Sequence, residues 1–209
     1  MREVKIKTLV LGMVKTNCYI VNASSSKEAV VIDPADDASK IYDYLKKNDL
    51  VCKRIILTHG HFDHITGASQ LKELTGAYVY AHENEAKVLR YPEINASTHM
   101  GYEVSLEPDY FFTDMEEFEA SGLKWQVLYT PGHTEGGACY YLKEESTLFS
   151  GDTLFYESIG RTDLPTGNHQ RLIESIKSRL FILPDETEVY PGHGRPTTIG
   201  HEREFNPFL

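Results

Sequence analysis

Apolar and polar residues alternate along Val4 to Leu11 and again along Asn17 to Val21, a period of two that predicts antiparallel strands with Gly12 between them. Ala29-Val30-Val31-Ile32-Asp33 is a continuous apolar run of strand length, read as a more buried third strand that ends at Asp33-Pro34. The period then lengthens. Ala38 to Lys47 has helical spacing, with Ile41, Tyr44 and Leu45 on one face. Arg54-Ile55-Ile56-Leu57 is a short, β-branched strand, and Ile65 to Thr75 reads as a helix with Leu71 and Leu74 inward. Ala77 to Ala81 is a further strand, and His82-Glu83-Asn84-Glu85 opens a short helix through about Leu89. From Arg90 to Asp109 periodicity fades, which predicts a long surface loop.

Strand patterning returns at Phe111 to Ala120 and Leu123 to Tyr129, with a turn at Ser121-Gly122. Gly137 to Leu142 and Ser146 to Ser150 form a hairpin-like pair across Lys143-Glu144-Glu145. A loop over Thr153 to Gly167 leads to an amphipathic helix, Asn168 to Leu180, with Leu172, Ile176 and Leu180 on one face. Glu188-Val189-Tyr190 is a last short strand, and the tail has a helical stretch near Gly200 to Glu204. The halves echo each other: strands, then a helix, with strand ends that carry histidine or aspartate. Pro131-Gly132-His133 and Pro191-Gly192-His193 repeat one device, a stiff proline followed by a glycine that lets backbone approach closely. Two such halves stack as helix, sheet, sheet, helix, with their strand ends along one edge. The expected class is α/β, a four-layer sandwich of two mixed sheets packed face to face with helices outside.

Composition is that of an ordinary globular chain, 41% hydrophobic and 25% charged, and residues 1–209 are read as a single domain. No apolar run is long enough to span a bilayer, and Met1-Arg2-Glu3-Val4-Lys5 lacks the apolar core of a secretory signal. Three cysteines, Cys18, Cys52 and Cys139, form no CxxC pair and are read as small core residues of a reduced, cytoplasmic protein. A formal charge of −10 argues against nucleic acid, which wants a basic stripe.

The chemistry concentrates in Thr58-His59-Gly60-His61-Phe62-Asp63-His64, at the carboxyl end of a strand, where open α/β sheets place their sites. In an extended turn His59 and His61 point to one side, while Asp63 and His64 face a second point nearby. That spacing suits two adjacent metal ions better than one. Packed imidazoles repel one another when protonated and need partners when neutral; a divalent cation answers both difficulties. Asp33 either supports this site or caps the following helix, with neither reading preferred. His82 is read as a helix-start residue, and His99, His169 and His201 as surface or loop residues.

The motif H-x-H-x-D-H, followed by the distant His133, Asp152 and His193, resembles the metallo-β-lactamase superfamily along nearly the whole chain. Thr130 to Thr134, Gly151-Asp152-Thr153-Leu154 and Pro191-Gly192-His193-Gly194 look most like its glyoxalase II group of thioester hydrolases, in the compact, single-domain form. The resemblance implies one ion held by His59, His61 and His133, a second by Asp63, His64 and His193, and Asp152 bridging them. Asp63 and Asp152 are then the carboxylates at the reacting centre. Such donors suit zinc, iron or manganese, with zinc favoured. The implied reaction is attack of a metal-bridging hydroxide on a thioester of hydroxyacylglutathione type, a small-molecule substrate. A thiol with a pKa near about 8.5 departs without a dedicated acid. The helical extension that grips glutathione in larger members is expected to be absent. Arg161 and Arg195 are the candidate substrate contacts, although Asp163, where a tyrosine is expected, disfavours an anion and is an equally good ion-pair partner for Arg161. Gly160-Arg161-Thr162-Asp163 also resembles the persulfide dioxygenases, which would hold one iron through His59, His133 and Asp152. A third reading is a non-enzymatic metal-binding module.

Overall fold

The computed structural model describes residues 3–209, so Met1 and Arg2 of the charged opening lie outside the described residues. The first sheet runs β1 (Val4–Leu11), β2 (Thr16–Ala23), β3 (Glu28–Ile32), β4 (Val51–Ile56), β5 (Tyr78–His82) and β6 (Tyr110–Phe112), in that spatial order. The second contains β7 (Glu117–Ala120), β8 (Leu123–Tyr129), β9 (Ala138–Leu142), β10 (Thr147–Gly151), β13 (Glu188–Pro191) and β14 (Thr197–Thr198), ordered 14-13-10-9-8-7. Between β10 and β13, the hairpin β11 (Leu154–Phe155) and β12 (Ser158–Ile159) stands apart. Both sheets are mixed: β3 to β6 and the pair β10/β13 are parallel, and the other pairs antiparallel.

The helices are α1 (Ala38–Lys47), α2 (Phe62–Ile65), α3 (Ala68–Thr75), α4 (Ala86–Arg90), α5 (His169–Ser175) and α6 (Ile199–Phe205). Parallel strands need crossovers, and α1 and α3 supply them in the first sheet. Asp37 caps α1 by accepting from Lys40 N–H, so Asp33 is left for another task. Three apolar layers result. Ile41, Leu45 and Leu71 pack on the outer face of the first sheet. Trp125, Tyr140, Phe149, Ile32 and Ile56 fill the space between the sheets. Leu172, Ile176 and Leu180 cover the outer face of the second sheet. Each of those three side chains is fully buried, worth about 1.5–3 kcal/mol apiece.

The expected four-layer αββα sandwich is therefore what the chain forms, with local differences. The helix read from Ile65 to Thr75 is broken at Thr66-Gly67, where Gly67 N–H reaches Pro34 O at 2.8 Å and a β-carbon would press on that same carbonyl. Leu74, expected inward with Leu71, is 38% exposed in the last turn of α3, while Leu71 is buried. The strand read from Phe111 to Ala120 is two strands in different sheets, β6 and β7, and the chain crosses between them through Met115 at φ 62°. The loop from Arg90 to Asp109 lies against the histidine turn, with Phe62 N–H bonded to Asn95 O at 3.0 Å and Phe62 edge-on to Tyr102. All three cysteines are buried and unbridged.

Candidate metal centre

The ends of β3, β4, β8, β10 and β13 meet at one rim of the sandwich, and each delivers one part of the site. After β4, His61 stands extended before α2, which carries Asp63 and His64 on its single turn. The turn after β8 brings His133, the end of β10 brings Asp152, and the exit from β13 brings His193. Three overlapping groups have ligand atoms within 4.8 Å of one another: His59-His61-His133, His59-His64-Asp152 and Asp63-His64-His193. So the seven residues singled out in the sequence converge, although 134 positions separate His59 from His193.

Hydrogen bonds to the far side of each ring assign its tautomer. His64 Nδ1–H donates to Asp33 Oδ2 at 2.9 Å. Thr58 O–H donates to the same oxygen at 2.6 Å and accepts from His59 Nδ1–H at 3.1 Å. His133 Nδ1–H donates to Arg161 O at 2.7 Å. These three rings therefore keep their Nδ1 protons on the far side and turn Nε2 toward the centre. His59 Nε2 and His133 Nε2 stand 3.3 Å apart, and His61 Nδ1 is 2.9 Å from His133 Nε2. Lone pairs aimed at one another across such a gap call for a cation. At the second group, His193 Nε2 lies 3.1 Å from Asp63 Oδ2, and His64 Nε2 lies 3.4 Å from Asp152 Oδ1. His64 Nε2 and Asp152 Oδ1 are buried and make no hydrogen bond. Neutral imidazole and carboxylate, without thiolate, form a donor set that fits divalent zinc, iron or manganese.

Charge divides along the same line. Burial pushes His59, His61 and His133 down, His61 to about 3, with repulsion among the rings adding to the effect on His59 and His61. Burial also opposes charge on His64 and His193, but Asp63 and Asp152 outweigh it and both are raised. Burial alone would raise the two carboxyls. The histidines reverse it, holding Asp63 below the usual range and Asp152 at about 2. One half of the centre is thus a neutral imidazole pocket and the other an acid–imidazole pocket whose protons a cation would displace.

Close backbone approach makes this possible. A β-carbon on Gly192 would overlap Asp152 Oδ1 and His64 Cε1, and one on Gly160 would overlap Asp152 O. The His193 loop is fastened from the other sheet: Asn17 Nδ2 donates to Pro191 O at 2.9 Å and to Gly194 O at 3.0 Å, and Tyr19 O–H donates to Pro191 O at 2.6 Å. Thr16 O–H donates to Asp63 Oδ2 at 2.8 Å.

The candidate substrate contacts fare differently. The Arg161 guanidinium is paired through Nε and Nη2 with the two oxygens of Asp163, at 2.8 Å each, so its tie to the centre is its backbone carbonyl. Arg195 lies over the Tyr156 ring, 3.5 Å from its centroid, two residues beyond His193. His82 heads its helical turn, accepting from Asn84 N–H, and stacks flat on Tyr129. Thr58, Thr16, Asn17 and Glu85 were not singled out by sequence reasoning; their roles depend on contacts between elements far apart in the chain.

A sandwich that gathers imidazoles and carboxylates at one rim defines a metallohydrolase-type αββα protein. The chain belongs to the metallo-β-lactamase superfamily, whose sequence pattern matches residues 11–193. It is 36% identical over 207 residues to the probable metallo-hydrolase YqgX of Bacillus subtilis, covering 98% of this chain and 97% of that one. It is also 36% identical over 196 residues to the hydroxyacylglutathione hydrolase GloC of Haemophilus influenzae, covering 92% of each. Among solved structures, the BLEG-1 B3 metallo-β-lactamase superposes with a TM-score of 0.93 at 39% identity, over 98% of this chain and 99% of that one. TTHA1623 in a di-iron-bound form gives 0.86 at 36%, over 97% and 100%. ETHE1 from Myxococcus xanthus gives 0.79 at 32%, over 97% and 83%.

Proposed function

We propose that the protein is a two-metal hydrolase of thioesters, with hydroxyacylglutathione-type compounds as the leading substrate class. The supporting observation is the doubled site: beside the neutral pocket of His59, His61 and His133 stands a second one, Asp63, His64 and His193, with Asp152 between them. In this reading the first three would hold one ion and the second three the other, and Asp152, whose oxygens stand near His64, His133 and His193, would serve both. Zinc is favoured, with iron, as in the di-iron form of TTHA1623, the main alternative. When bound, such ions would supply Lewis acidity, lowering the pKa of a coordinated water to about 7 and polarising a substrate carbonyl.

The chain's own residues do the rest. Asp33 and the Arg161 carbonyl keep the Nδ1 protons of His64 and His133 away from the centre, and Thr58 does so for His59. Thr16 O–H holds one oxygen of Asp63, which fixes that carboxylate's direction. Phe62, next to Asp63, packs edge-on against Tyr102, and Phe155 stands edge-on to His193. Arg195, at the rim beyond His193, is the better placed of the two arginines to meet a substrate carboxylate, since Asp163 already engages Arg161. Residues 1–209 act as one domain, a reading supported by relatives of nearly equal length. Among the described residues no helix is long and apolar enough to cross a membrane.

A mononuclear persulfide dioxygenase would use His59, His133 and Asp152 and leave the second pocket unused, so the built second pocket favours hydrolysis. A panel of a hydroxyacylglutathione, a glutathione-free thioester, an oxygen ester and a β-lactam tests the reading on protein loaded with zinc, iron or manganese. Thioesters are expected to be cleaved fastest, with the activity lost in Asp152→Ala while the circular dichroism spectrum is kept. Failure of every metal-loaded form to cleave a thioester refutes it, and oxygen uptake with a persulfide by a one-iron form moves the assignment to the dioxygenase.

A further inference from the structure

Glu85 is 1% exposed and lies at the end of the helical turn Glu83–Glu85, just before α4, outside the seven-residue cluster. Its Oε1 accepts from Gly60 N–H at 2.7 Å, and Gly60 sits between His59 and His61. Its Oε2 accepts from Thr134 O–H at 2.9 Å, and Thr134 follows His133. A third donor is the Gly136 backbone N–H. The two loops reach Glu85 only because they are glycine there. A β-carbon on Gly60 would press on Leu89 N and Val88 Cγ1, and one on Gly136 would overlap the Asn84–Glu85 backbone.

One carboxylate thus binds the chain between His59 and His61 and the residue after His133; Asp63 and His64 lie further along the first of these segments, and the His193 loop is not among its partners. No lysine or arginine pairs with it at ion-pair distance among the described residues. A buried anion held by three dipoles and no side-chain cation is costly unless positive charge stands nearby. The neutral three-histidine pocket is where such charge would stand. Burial raises the Glu85 carboxyl to about 7 against the lowering effect of its three donors. We propose that Glu85 is a positioning residue that sets the geometry of the His59-His61-His133 pocket and supplies its balancing negative charge, so that cation affinity at that pocket, and not at Asp63-His64-His193, depends on it. The proposal rests on the two-ion reading for its second comparison only.

The test is chelator-competition titration with zinc, read as the affinity of each pocket separately. The His193→Ala background reports the three-histidine pocket, and the His133→Ala background reports the other. Glu85→Gln keeps the volume and removes the charge. It is expected to weaken zinc about 10–100-fold in the His193→Ala background, the usual effect of removing a group that orients ligands. In the His133→Ala background the change should stay within about threefold. Thr134→Val, which deletes one of the three donors, should weaken the first pocket in the same direction by a smaller factor and serves if Glu85→Gln does not fold. Equal losses in both backgrounds, or none in the first, overturn the proposal, since a merely structural role would act on both pockets alike. No zinc binding by His193→Ala alone also overturns it. A single ion in the wild type, with Glu85→Gln still selective in the His193→Ala background, defeats the two-ion reading and leaves the role of Glu85 standing.

Discussion

Asp33→Asn keeps the shape of the side chain and removes its charge. Position 33 has φ 49°, a left-handed backbone that asparagine adopts readily, so the substitution adds little strain of its own. The carboxylate accepts three bonds: Thr58 N–H at 2.8 Å, Thr58 O–H at 2.6 Å and His64 Nδ1–H at 2.9 Å. An amide oxygen at the Oδ1 position keeps the first. The amide NH2 then faces two donors. The hydroxyl can rotate, but the imidazole can answer only by moving its proton from Nδ1 to Nε2, onto the lone pair aimed at the centre. Loss of such an orienting partner weakens metal about 10–100-fold, which is about 1.4–2.7 kcal/mol. Without metal, the variant removes an anion beside a buried, raised imidazole, a loss of about 3 kcal/mol. At about 2–4 °C per kcal/mol for a chain of this size, Tm falls by about 6–12 °C. Chelator-competition titration and calorimetry on the same sample read both quantities, and the pocket containing His64 should weaken more than the three-histidine pocket. Wild-type affinity for both ions with an unchanged Tm would refute the argument that Asp33 sets the tautomer.

Gly192→Ala places a methyl group on Asp152 Oδ1 and His64 Cε1 and should cost about 1–3 kcal/mol of stability together with most of the second ion, read by elemental analysis after gel filtration. Asn17→Ala removes two bonds to the His193 loop and should lower metal-free stability by about 2 kcal/mol in urea titration; a change below about 0.5 kcal/mol would mean the loop holds itself. The pH dependence should differ between forms. Against the effect of burial, Asp63 and Asp152 raise His64 and His193, so their stabilising charge is fully present below about pH 6.5 and is lost as pH rises through their folded pKa values. Metal-free Tm should therefore fall as pH rises above about 6.5 while metal-loaded Tm does not, because a bound cation replaces those protons. Parallel curves for the two forms would contradict it.

The cluster was legible because its densest part is local. Four donors within His59 to His64 announce a centre, and Pro-Gly-His repeats and Gly151-Asp152 at strand ends announce its remaining members. Asp33 stayed ambiguous because a strand-end aspartate can cap a helix, and only the presence of Asp37 at that cap decides otherwise. Thr58, Thr16 and Glu85 left no signal, since each acts through a contact fixed by the packing of one layer on another. The broken helix at Gly67 has the same origin: the Pro34 carbonyl that interrupts it comes from a different loop. Arg161 shows the opposite case, where the residue type suggested a charge contact and the structure uses its main-chain oxygen.

The fastening of the His193 loop by Asn17 and Tyr19 also orders events during synthesis. Asn17 and Pro191 are 174 positions apart, so at about 5–20 residues per second the ribosome delivers the second partner roughly 10–35 s after the first. By then the first sheet, His133 and Asp152 have all been made, so of the seven clustered residues His193 is the last to be synthesised. The Asp63-His64-His193 group therefore cannot assemble until nearly the whole polypeptide exists, and its closure waits on the joining of the two ends of the chain.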